Sequence, residues 1–556
     1  MDPGQRRRPT ARAARLSVLL LANLAAVFLL VRSLTGGDGE VEAGDVQVAE
    51  MVSSETLAAA APVSAPVVEA VAEPVPDPGD VELARRLEGQ VASAVARAAE
   101  RSGGKVTAAN TVVALHVLDP GSGRVLVARQ SDRALRPASA LKLVTSAAAL
   151  VSLGPDGAFE TSFESAAPIE GGVLRGDLVV RAGGDPFYDP DARGAVAQLY
   201  APALRALRDA GIAAIEGDLV LDEGSYLEPG PAPGWPSADQ HWQEHCALAG
   251  GFSANAGCLT AVVEAGRAGE GARSEVRPRN HGLERVGSVR TVGAKARLDI
   301  AVGATEARAT LRGEIPSSVK DWSSRFAHPD PVALFGSSFM GALEREGIDL
   351  RGVVRRERGV PAARRLALLS TPLARVLAPI NQESNNAAAD QLFLALGAAR
   401  GGAGTREGGR RAVAAALAEL GVPDDGLVQV DGSGLSRDDR VTARQLATLL
   451  GAVLAEEPSL REPFVDSLPR AGRSGSLAGR MREAPALDRV RAKTGWIEGA
   501  SALAGYVDAA GGRRLCFAIL VDYPRVSGLN THCWKPMQDA ICAELATWSP
   551  AGGRVR

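Results

Sequence analysis

Sulfur-containing residues are scarce in this chain of 556 residues, which has five cysteines and five methionines. No two cysteines are spaced as Cys-x-x-Cys, so the sequence does not favour a zinc–thiolate site. Five scattered thiols also do not form a disulfide framework, although a single bridge between Cys246 and Cys258 is compatible with an oxidising compartment. The few methionines exclude a sulfur-rich binding site.

Aromatic residues make up only 4% of the chain, and its charge is nearly balanced, with 62 Lys and Arg against 65 Asp and Glu. No basic stripe is interleaved with aromatic residues, so nucleic acid is not expected as a partner. No long-period repeat is visible, which argues against a solenoid. The length is sufficient for two to four domains with at least one sizeable core.

The N-terminus has the pattern of an export segment. Residues 1–15 carry five arginines, which favour retention of this end in the cytoplasm. The apolar run Leu16 to Val31 follows, within a segment 16–32 that predicts either a membrane anchor or a signal peptide. No small-x-small cleavage site lies close to the run, which favours the anchor. Residues 33–80, rich in Ala, Val, Glu, Pro and Gly, predict a flexible linker before an exported head.

The two ends of the exported part have complementary patterns: an amphipathic helix and two apolar runs open it, and two apolar runs and a helix close it. These segments are 81–100, 111–118, 124–128, 502–507, 514–522 and 535–548. They predict an α+β domain from 81–164 and 341–556, in which helices cover an antiparallel sheet. Residues 165–340 contain short strand-like pieces and one periodic helix, 195–210, and predict one or two inserted β-rich domains.

Ser139 and Lys142 stand three residues apart at the start of the apolar run Val144 to Leu150. Three residues make about one helical turn, so both side chains are expected on one face. A serine hydroxyl becomes a good nucleophile only when a base takes its proton, and a lysine with a lowered pKa can be that base. Ser-x-x-Lys is common by chance, and it acquires meaning only from other motifs.

Two further motifs follow. Ser384-Asn385-Asn386 lies at a loop-to-helix boundary, and Lys493-Thr494-Gly495 lies on a predicted strand. In this order, the three motifs match the active-site set of the penicillin-recognising serine acyl-transferases.

The long interval between the first two motifs makes the chain resemble the D-alanyl-D-alanine carboxypeptidase/endopeptidase family, the class C low-molecular-mass penicillin-binding proteins. The likeness covers about 84–545, and the stretches that carry it are Gly176 to Pro186, Gly217 to Tyr226 with Ala232 to Trp235, Asp431 to Ser436 and Ala504 to Val507. It implies a β-lactamase/transpeptidase-like domain interrupted by inserted domains. It also implies peptidoglycan stem peptides as substrates, β-lactams as inhibitors and no cofactor.

The resemblance assigns roles to the first half of the reaction. Ser139 would attack the D-alanyl carbonyl, and Lys142 would accept its proton, with the charge of Lys493 lowering the pKa of Lys142. Ser384 would relay the proton to the leaving amine, and Asn386 would orient Lys142 and the substrate amide.

The resemblance also assigns the binding groups. Lys493 and Thr494 would hold the substrate carboxylate, and Gly495 would leave room for the substrate. The backbone N–H groups of Ser139 and Trp496 would form the oxyanion hole.

Trp496 departs from the family pattern, which has Ser or Thr at this position. The change removes a hydroxyl and adds bulk beside the cleft. It leaves open whether the enzyme is a carboxypeptidase, is biased towards endopeptidase cleavage, or is weakly active. A tryptophan that turns outward, with Thr494 sufficient for the carboxylate, is the alternative.

His241 to His245 reads H-x-x-E-H, a zinc-peptidase pattern when it lies on a helix. The prolines before it and Gly250-Gly251 after it argue against a long helix, so no metal site is predicted.

Taken together, the motifs and the N-terminal pattern predict an exported, membrane-anchored serine D,D-peptidase of the periplasm or cell surface. The alternatives are a non-catalytic envelope protein that binds peptidoglycan, and a hydrolase of small esters or β-lactams.

Overall fold

The computed structural model describes residues 77–550, and the statements below concern that part of the chain. Its α-helices are α1 (Pro78–Arg101), α2 (Lys142–Leu153), α3 (Ala197–Asp209), α4 (Pro331–Arg345), α5 (Leu373–Gln382), α6 (Asn386–Arg400), α7 (Arg406–Glu419), α8 (Ala443–Ala455), α9 (Pro458–Asp466) and α10 (Lys535–Thr547).

The strands are β1 (Val112–Asp119), β2 (Arg124–Arg129), β3 (Ala158–Ser165), β4 (Ile169–Glu170), β5 (Val173–Leu174), β6 (Leu178–Arg181), β7 (Ala214–Ile215), β8 (Leu219–Asp222), β9 (Cys258–Glu264), β10 (Arg273–Arg277), β11 (Glu284–Val286), β12 (Val289–Val292), β13 (Asp299–Ala304), β14 (Arg308–Pro316), β15 (Asp321–Ala327), β16 (Asp349–Leu350), β17 (Val354–Glu357), β18 (Arg364–Pro372), β19 (Val490–Ile497), β20 (Ala500–Asp508) and β21 (Arg514–Asp522).

A five-stranded antiparallel sheet with the strand order β19–β20–β21–β1–β2 forms the centre of the first region. Both faces of β21 are buried, and successive residues belong to different cores. Leu515 and Phe517 pack with α1 and α10, whereas Cys516 and Ala518 pack with α2, α6 and α8. Because side chains alternate along a strand, this pattern shows that helices cover both faces of the sheet.

We call this region, with α1, α2 and α5–α10, the sheet–helix core. The two predicted hairpins and the terminal helices on one face of the sheet are confirmed. The observed fold is α+β, as expected. No helix within residues 77–550 is long and apolar enough to span a membrane. The predicted basic N-terminus, the anchor or signal peptide and nearly all of the linker lie outside the described residues.

The helix α2 runs through the middle of the sheet–helix core, and its residues Lys142 to Leu150 are all buried. A short 3₁₀ turn, Ala138–Leu141, precedes it. Ser139 therefore lies in this turn rather than in the first turn of α2. The turn packs against β19 and β20, where glycine and alanine leave room for its close approach.

Strands β3–β18 belong to four further sheets, of three to five strands, that lie between β2 and β19 in the chain. We call residues 158–372 the intervening segment. Most of its apolar residues, from Phe163 to Leu369, form one core. The predicted β-rich character and the helix near 195–210, observed as α3, are confirmed. Strands β16–β18, which lie beyond residue 340, pair with β7, β8 and β3 of the same segment.

All five cysteines are buried and unpaired, so the bridge considered between Cys246 and Cys258 is wrong. Cys258 packs in a small alanine-rich cluster with Ala247, Ala256, Ala327 and Ala387. Burial raises the pKa of both thiols, to about 12 for Cys246 and to about 11 for Cys258, which keeps them protonated. These residues act as small apolar side chains.

Candidate active site

Ser139 and Lys142 project into the same cleft from the 3₁₀ turn and the start of α2. The Nζ atom of Lys142 lies 3.1 Å from Ser139 Oγ. It also donates to two oxygen atoms of other segments, Oδ1 of Asn386 at 2.6 Å and the backbone carbonyl of Ser433 at 2.6 Å. The lysine side chain has no solvent exposure, whereas Ser139 is partly exposed to the cleft.

The second motif occupies the junction between α5 and α6. Asn385 caps α6 by accepting from the N–H of Ala388 at 3.0 Å, which places Asn386 at the first helical position. Ser384 precedes the cap with a backbone φ of 62°, in the left-handed region that non-glycine residues rarely adopt. This conformation belongs to the residue whose hydroxyl faces the third motif.

The third motif lies on the edge strand β19. Lys493 is fully buried, and its Nζ donates to Ser384 Oγ at 2.8 Å and to the Thr494 carbonyl at 3.0 Å. Residues 494 and 496 share one face of the strand, because side chains alternate along it. The structure thus brings together all three predicted motifs, through contacts between residues more than 100 positions apart.

The structure gives a further reason for a glycine at position 495, besides the expected room for the substrate. A Cβ atom built at this position would lie 2.6 Å from the carbonyl oxygen of Pro137 and 3.0 Å from the N atom of Ala140. The missing side chain therefore allows β19 to contact the turn that carries Ser139. The space is filled by the protein's own backbone.

Burial governs the charge of both lysines. It lowers the pKa of Lys142 to about 8, although the carboxyl groups of Asp390, Asp431 and Asp439 act in the opposite direction. Burial, and secondarily the positive charge of Lys142, holds the pKa of Lys493 well below its usual range. Burial and a neighbouring cation, Lys493, were the two causes expected to lower the pKa of Lys142; burial is the one that lowers it.

Three buried acids lie behind Lys142. Asp431 is saturated, because its carboxylate accepts from the N–H groups of Ser433, Gly434 and Ser436 and from two side chains. Asp390 and Asp439 each accept one backbone N–H, and each keeps one buried oxygen without a partner. Burial raises the pKa of both well above its usual value.

A cavity of about 190 Å³ opens between Ser139 and β19. By volume it holds about six waters, enough for a small polar leaving group. Trp496 lines it and is 58% exposed, so much of the indole faces solvent at the rim. The remaining lining is mostly polar. It consists of Ser139, Ser384, Ser476, Arg480, Thr494, Gly495, Ser501, Ala502, Asn530, Lys535 and Gln538.

Sequence reasoning missed several of these groups. Ser433 contributes only its carbonyl, and it lies in the stretch Asp431 to Ser436 that was interpreted as either cleft or turn. Thr494 Oγ1 donates to Ser476 Oγ at 2.8 Å, and Ser476 was not identified. Asp390 stands four residues after Asn386 on α6, a helical spacing that predicts a shared face.

The H-x-x-E-H stretch is not helical beyond two 3₁₀ pieces, Ala238–Gln240 and Glu244–Cys246. His241 Nε2 instead contacts the carbonyl of Pro236 at 2.9 Å. Among the described residues, no group of three or more His, Cys, Asp and Glu side chains is arranged to hold a metal ion.

A comparison with protein families identifies the chain. The model of the D-Ala-D-Ala carboxypeptidase 3 (S13) family matches residues 96–541. The chain belongs to this family. It is therefore a serine-type D,D-peptidase, a hydrolase, and S13 peptidases are enzymes of the cell envelope.

Curated relatives of this S13 peptidase include two bacterial enzymes. The D-alanyl-D-alanine carboxypeptidase of Actinomadura sp. (strain R39) is 32% identical over 465 residues, which are 79% of this chain and 82% of that protein. The D-alanyl-D-alanine carboxypeptidase DacB of Haemophilus influenzae is 29% identical over 394 residues, which are 69% and 80% of the two chains.

Solved structures show the same fold. The crystal structure of penicillin-binding protein 4 from Haemophilus influenzae has a TM-score of 0.66 at 25% identity and covers 79% of this S13 peptidase and 97% of that chain. Its complex with a β-lactam has a TM-score of 0.58 at 26% identity, with coverage of 74% and 90%.

Proposed function

We propose that this S13 peptidase cleaves D-alanyl bonds of peptidoglycan stem peptides through an acyl-enzyme on Ser139, and that β-lactams inhibit it by acylating the same atom. One observation carries the proposal: the nitrogen of Lys142 has three contacts, two to acceptors and one to the Ser139 hydroxyl.

These contacts suit a neutral amine. Neutral lysine has two N–H groups and one lone pair. Its N–H groups match the oxygen of Asn386 and the carbonyl of Ser433, and both are 2.6 Å away. The lone pair is then left for the Ser139 hydroxyl, and Lys142 takes the proton as Ser139 attacks the substrate carbonyl. The lowered pKa of Lys142, about 8, leaves a usable neutral fraction at pH 7.

Ser384 and Lys493 serve the leaving group. The hydroxyl of Ser384 accepts from Lys493 and lines the cavity beside Ser139. It donates a proton to the leaving amine, and it receives in return the proton that Lys142 took from Ser139. Water then attacks the acyl-enzyme with Lys142 acting again as base. A β-lactam blocks this step because its acyl-enzyme is hydrolysed slowly.

The carboxylate that follows the scissile bond binds at β19. Lys493 and Thr494 hold it, and the N–H groups of Ser139 and Trp496 stabilise the oxyanion. The contact of Ser476 with Thr494 supports a further donor: the Ser476 O–H is available to the carboxylate and replaces the hydroxyl absent from residue 496.

Two product patterns fit the cleft. A carboxypeptidase releases the terminal D-Ala, and an endopeptidase cuts a D-Ala cross-link with a larger leaving residue. The solvent-facing indole of Trp496 at the rim of the cavity supports a retained carboxypeptidase activity, because the indole does not fill the cavity.

A catalytically weak envelope protein that binds peptidoglycan is the second candidate function, and the only feature that favours it is the hydroxyl lost at residue 496. Cleavage of small esters or β-lactams is the third candidate, which the same nucleophile would serve.

The domain arrangement and location are also proposals. The core formed by residues from 163 to 369 supports a catalytic domain interrupted by an insert. The pairing of β16–β18 with β7, β8 and β3 supports an insert that extends to residue 372 instead of 340. The apolar run 16–31, which precedes the described residues, would anchor the enzyme to the membrane as an exported protein.

Labelling with a fluorescent penicillin tests the catalytic proposal. The wild type is expected to form a covalent adduct at Ser139, and Ser139→Ala to form none. Ser501→Ala, a second serine of the cavity wall, is the control for access of the probe. Equal labelling of wild type and Ser139→Ala would contradict the proposal. Product analysis on a pentapeptide and on a cross-linked dimer then distinguishes carboxypeptidase from endopeptidase.

A further inference from the structure

The two acceptors of Lys142 are held from outside the sheet–helix core. Asn386 lies on α6 and Ser433 lies on the loop 431–437. Residues 233–246 of the intervening segment contact Asn386 itself and, through Asp431, the loop that carries Ser433. This stretch contains the H-x-x-E-H pattern and a Pro-Gly-Trp sequence to which neither the motifs nor the family resemblance gave a role. Its contacts with the catalytic centre are polar and specific.

The first contact runs through Trp235. Its indole Nε1 donates to Asp431 Oδ2 at 2.7 Å. The other oxygen of Asp431 accepts from the N–H groups of Ser433 at 2.9 Å and Gly434 at 2.6 Å. These bonds fix the turn whose Ser433 carbonyl accepts from Lys142. Of the five hydrogen-bond donors that Asp431 has among the described residues, Trp235 is the one from outside the loop.

The backbone of the same stretch docks beside this bond. Ser436 Oγ donates to the carbonyl of Pro233 at 2.7 Å, and the N–H of Arg437 donates to the carbonyl of Gly234 at 3.0 Å. Gly234 has a φ of 74°, and a Cβ there would lie 2.7 Å from Ser436 Oγ. The turn and the loop therefore fit each other closely at a site where only glycine is accommodated.

The second contact fixes the amide of Asn386. Its Nδ2 donates to the carbonyl of His245 at 2.9 Å, which directs Oδ1 towards Lys142. The turn that contains His245 is held by two contacts with β15. Arg325 donates to the carboxylate of Glu244 at 2.7 Å, and the N–H of Ala327 donates to the carbonyl of Trp242 at 2.8 Å. Without an acceptor-only partner such as a carbonyl at Nδ2, the two ends of an amide are interchangeable.

We propose that residues 233–246 form a positioning brace for the general base, acting through Trp235–Asp431 on the Ser433 carbonyl and through the His245 carbonyl on Asn386. Trp235 is a positioning residue, and it does not line the cavity beside Ser139. The inference rests on the proposed function, in which Lys142 takes the proton of Ser139. Since reacting groups must be held to within about 1 Å, loosening one acceptor of Lys142 slows proton transfer without removing any reacting group.

Trp235→Phe removes the N–H donor and keeps an aromatic ring. The matched control is Trp242→Phe, in the same stretch, because the Trp242 side chain is 41% exposed and its contact to β15 uses the backbone. Rapid-mixing kinetics with a fluorescent penicillin give the maximal acylation rate constant, the concentration for half-maximal rate and the fraction of enzyme that labels. For Trp235→Phe we expect a roughly tenfold lower maximal rate constant, with the other two quantities unchanged.

The outcomes are distinct. A reduced labelled fraction with a normal rate constant would mean that Trp235 only maintains the fold, and the brace would be rejected. A rate constant equal to that of Trp242→Phe would also reject it. If the wild type itself is not acylated, the proposed function is contradicted as well as this inference.

A double-mutant cycle with Asp431→Asn adds a second measurement. The brace predicts that the double variant is acylated no more slowly than Asp431→Asn alone, and additive effects would contradict it.

Discussion

Lys142 and Lys493 of the sheet–helix core have no solvent exposure, and within residues 77–550 neither forms an ion pair with a carboxylate. The intervening segment has no buried lysine, and its partly buried cations are arginines paired with carboxylates. Arg181 pairs with Glu164 at 2.8 Å and Asp222 at 2.7 Å, and Arg355 with Asp177 at 2.8 Å and Asp218 at 2.9 Å. Each of these arginines is partly exposed.

The difference follows from the chemistry of the two side chains. A guanidinium stays charged and satisfies several carboxylates at once, so it suits cohesion between strands. A buried amine without a counter-ion loses its charge easily and can then act as a base. The chain has six lysines among its 62 basic residues, and two of the six, Lys142 and Lys493, are fully buried in the active site. The comparison teaches that the sheet–helix core leaves two buried lysines without an ion pair for reactivity, whereas arginine–carboxylate pairs, which occur in both regions, serve structure.

The largest expected effect comes from Lys142→Met, which keeps most of the side-chain volume and removes the amine. We expect acylation by penicillin to fall by roughly a thousandfold or more, because the general base is lost. We also expect the midpoint of thermal unfolding to stay the same or rise, because a buried amine is replaced by an apolar group. Acylation rates and calorimetry measure the two quantities. A clear loss of stability would show that this lysine is structural.

Arg181→Met is the converse variant. It leaves the buried carboxylate of Asp222 without its cation, and we expect a destabilisation of roughly 3 kcal/mol. Acylation of the folded fraction should be unchanged, because Arg181 does not line the cavity beside Ser139. The midpoint of thermal unfolding and the rate constant for labelling test both parts. A slowed rate constant in fully folded protein would break the contrast between the regions.

The pH dependence of acylation sharpens the contrast. The base must be neutral, and the pKa of Lys142 is lowered to about 8. Acylation should therefore rise with pH, by roughly tenfold per unit between pH 6 and 7, and reach a plateau above pH 8. Stopped-flow rates across this range, with an inhibitor that does not titrate there, give the profile. A flat profile would exclude an ammonium-to-amine transition as the controlling step.

Ser476→Ala is expected to have the smallest effect. If Ser476 replaces the missing hydroxyl at residue 496, KM for a peptide ending in D-Ala should rise roughly five- to tenfold, which corresponds to a net hydrogen bond of about 1 kcal/mol. The same peptide with a C-terminal amide is the matched control, and its KM should not change. Equal effects on acid and amide would assign Ser476 to general packing.

The sequence was informative where chemistry depends on residue type and spacing. Ser139, Lys142, Ser384, Asn386, Lys493 and Thr494 could be selected because their motifs are short and local. The sequence could not show that the carbonyl of Ser433 accepts from Lys142, since any residue has a carbonyl. It also could not show that Gly495 is needed for contact with Pro137, because that contact joins segments far apart in the chain. The strands beyond residue 340 were missed for the same reason, since their pairing with β3, β7 and β8 is non-local.

The left-handed backbone at Ser384 means that the serine needed for catalysis is less favourable for stability than a glycine would be. A glycine would adopt its φ of 62° without the penalty of about 1 kcal/mol or more that a side chain brings there. Ser384→Gly would thus remove the backbone strain at this position and also remove the hydroxyl that relays the proton. Random substitution followed by selection for heat resistance should enrich glycine at this position, while selection for cell-wall cleavage should remove it.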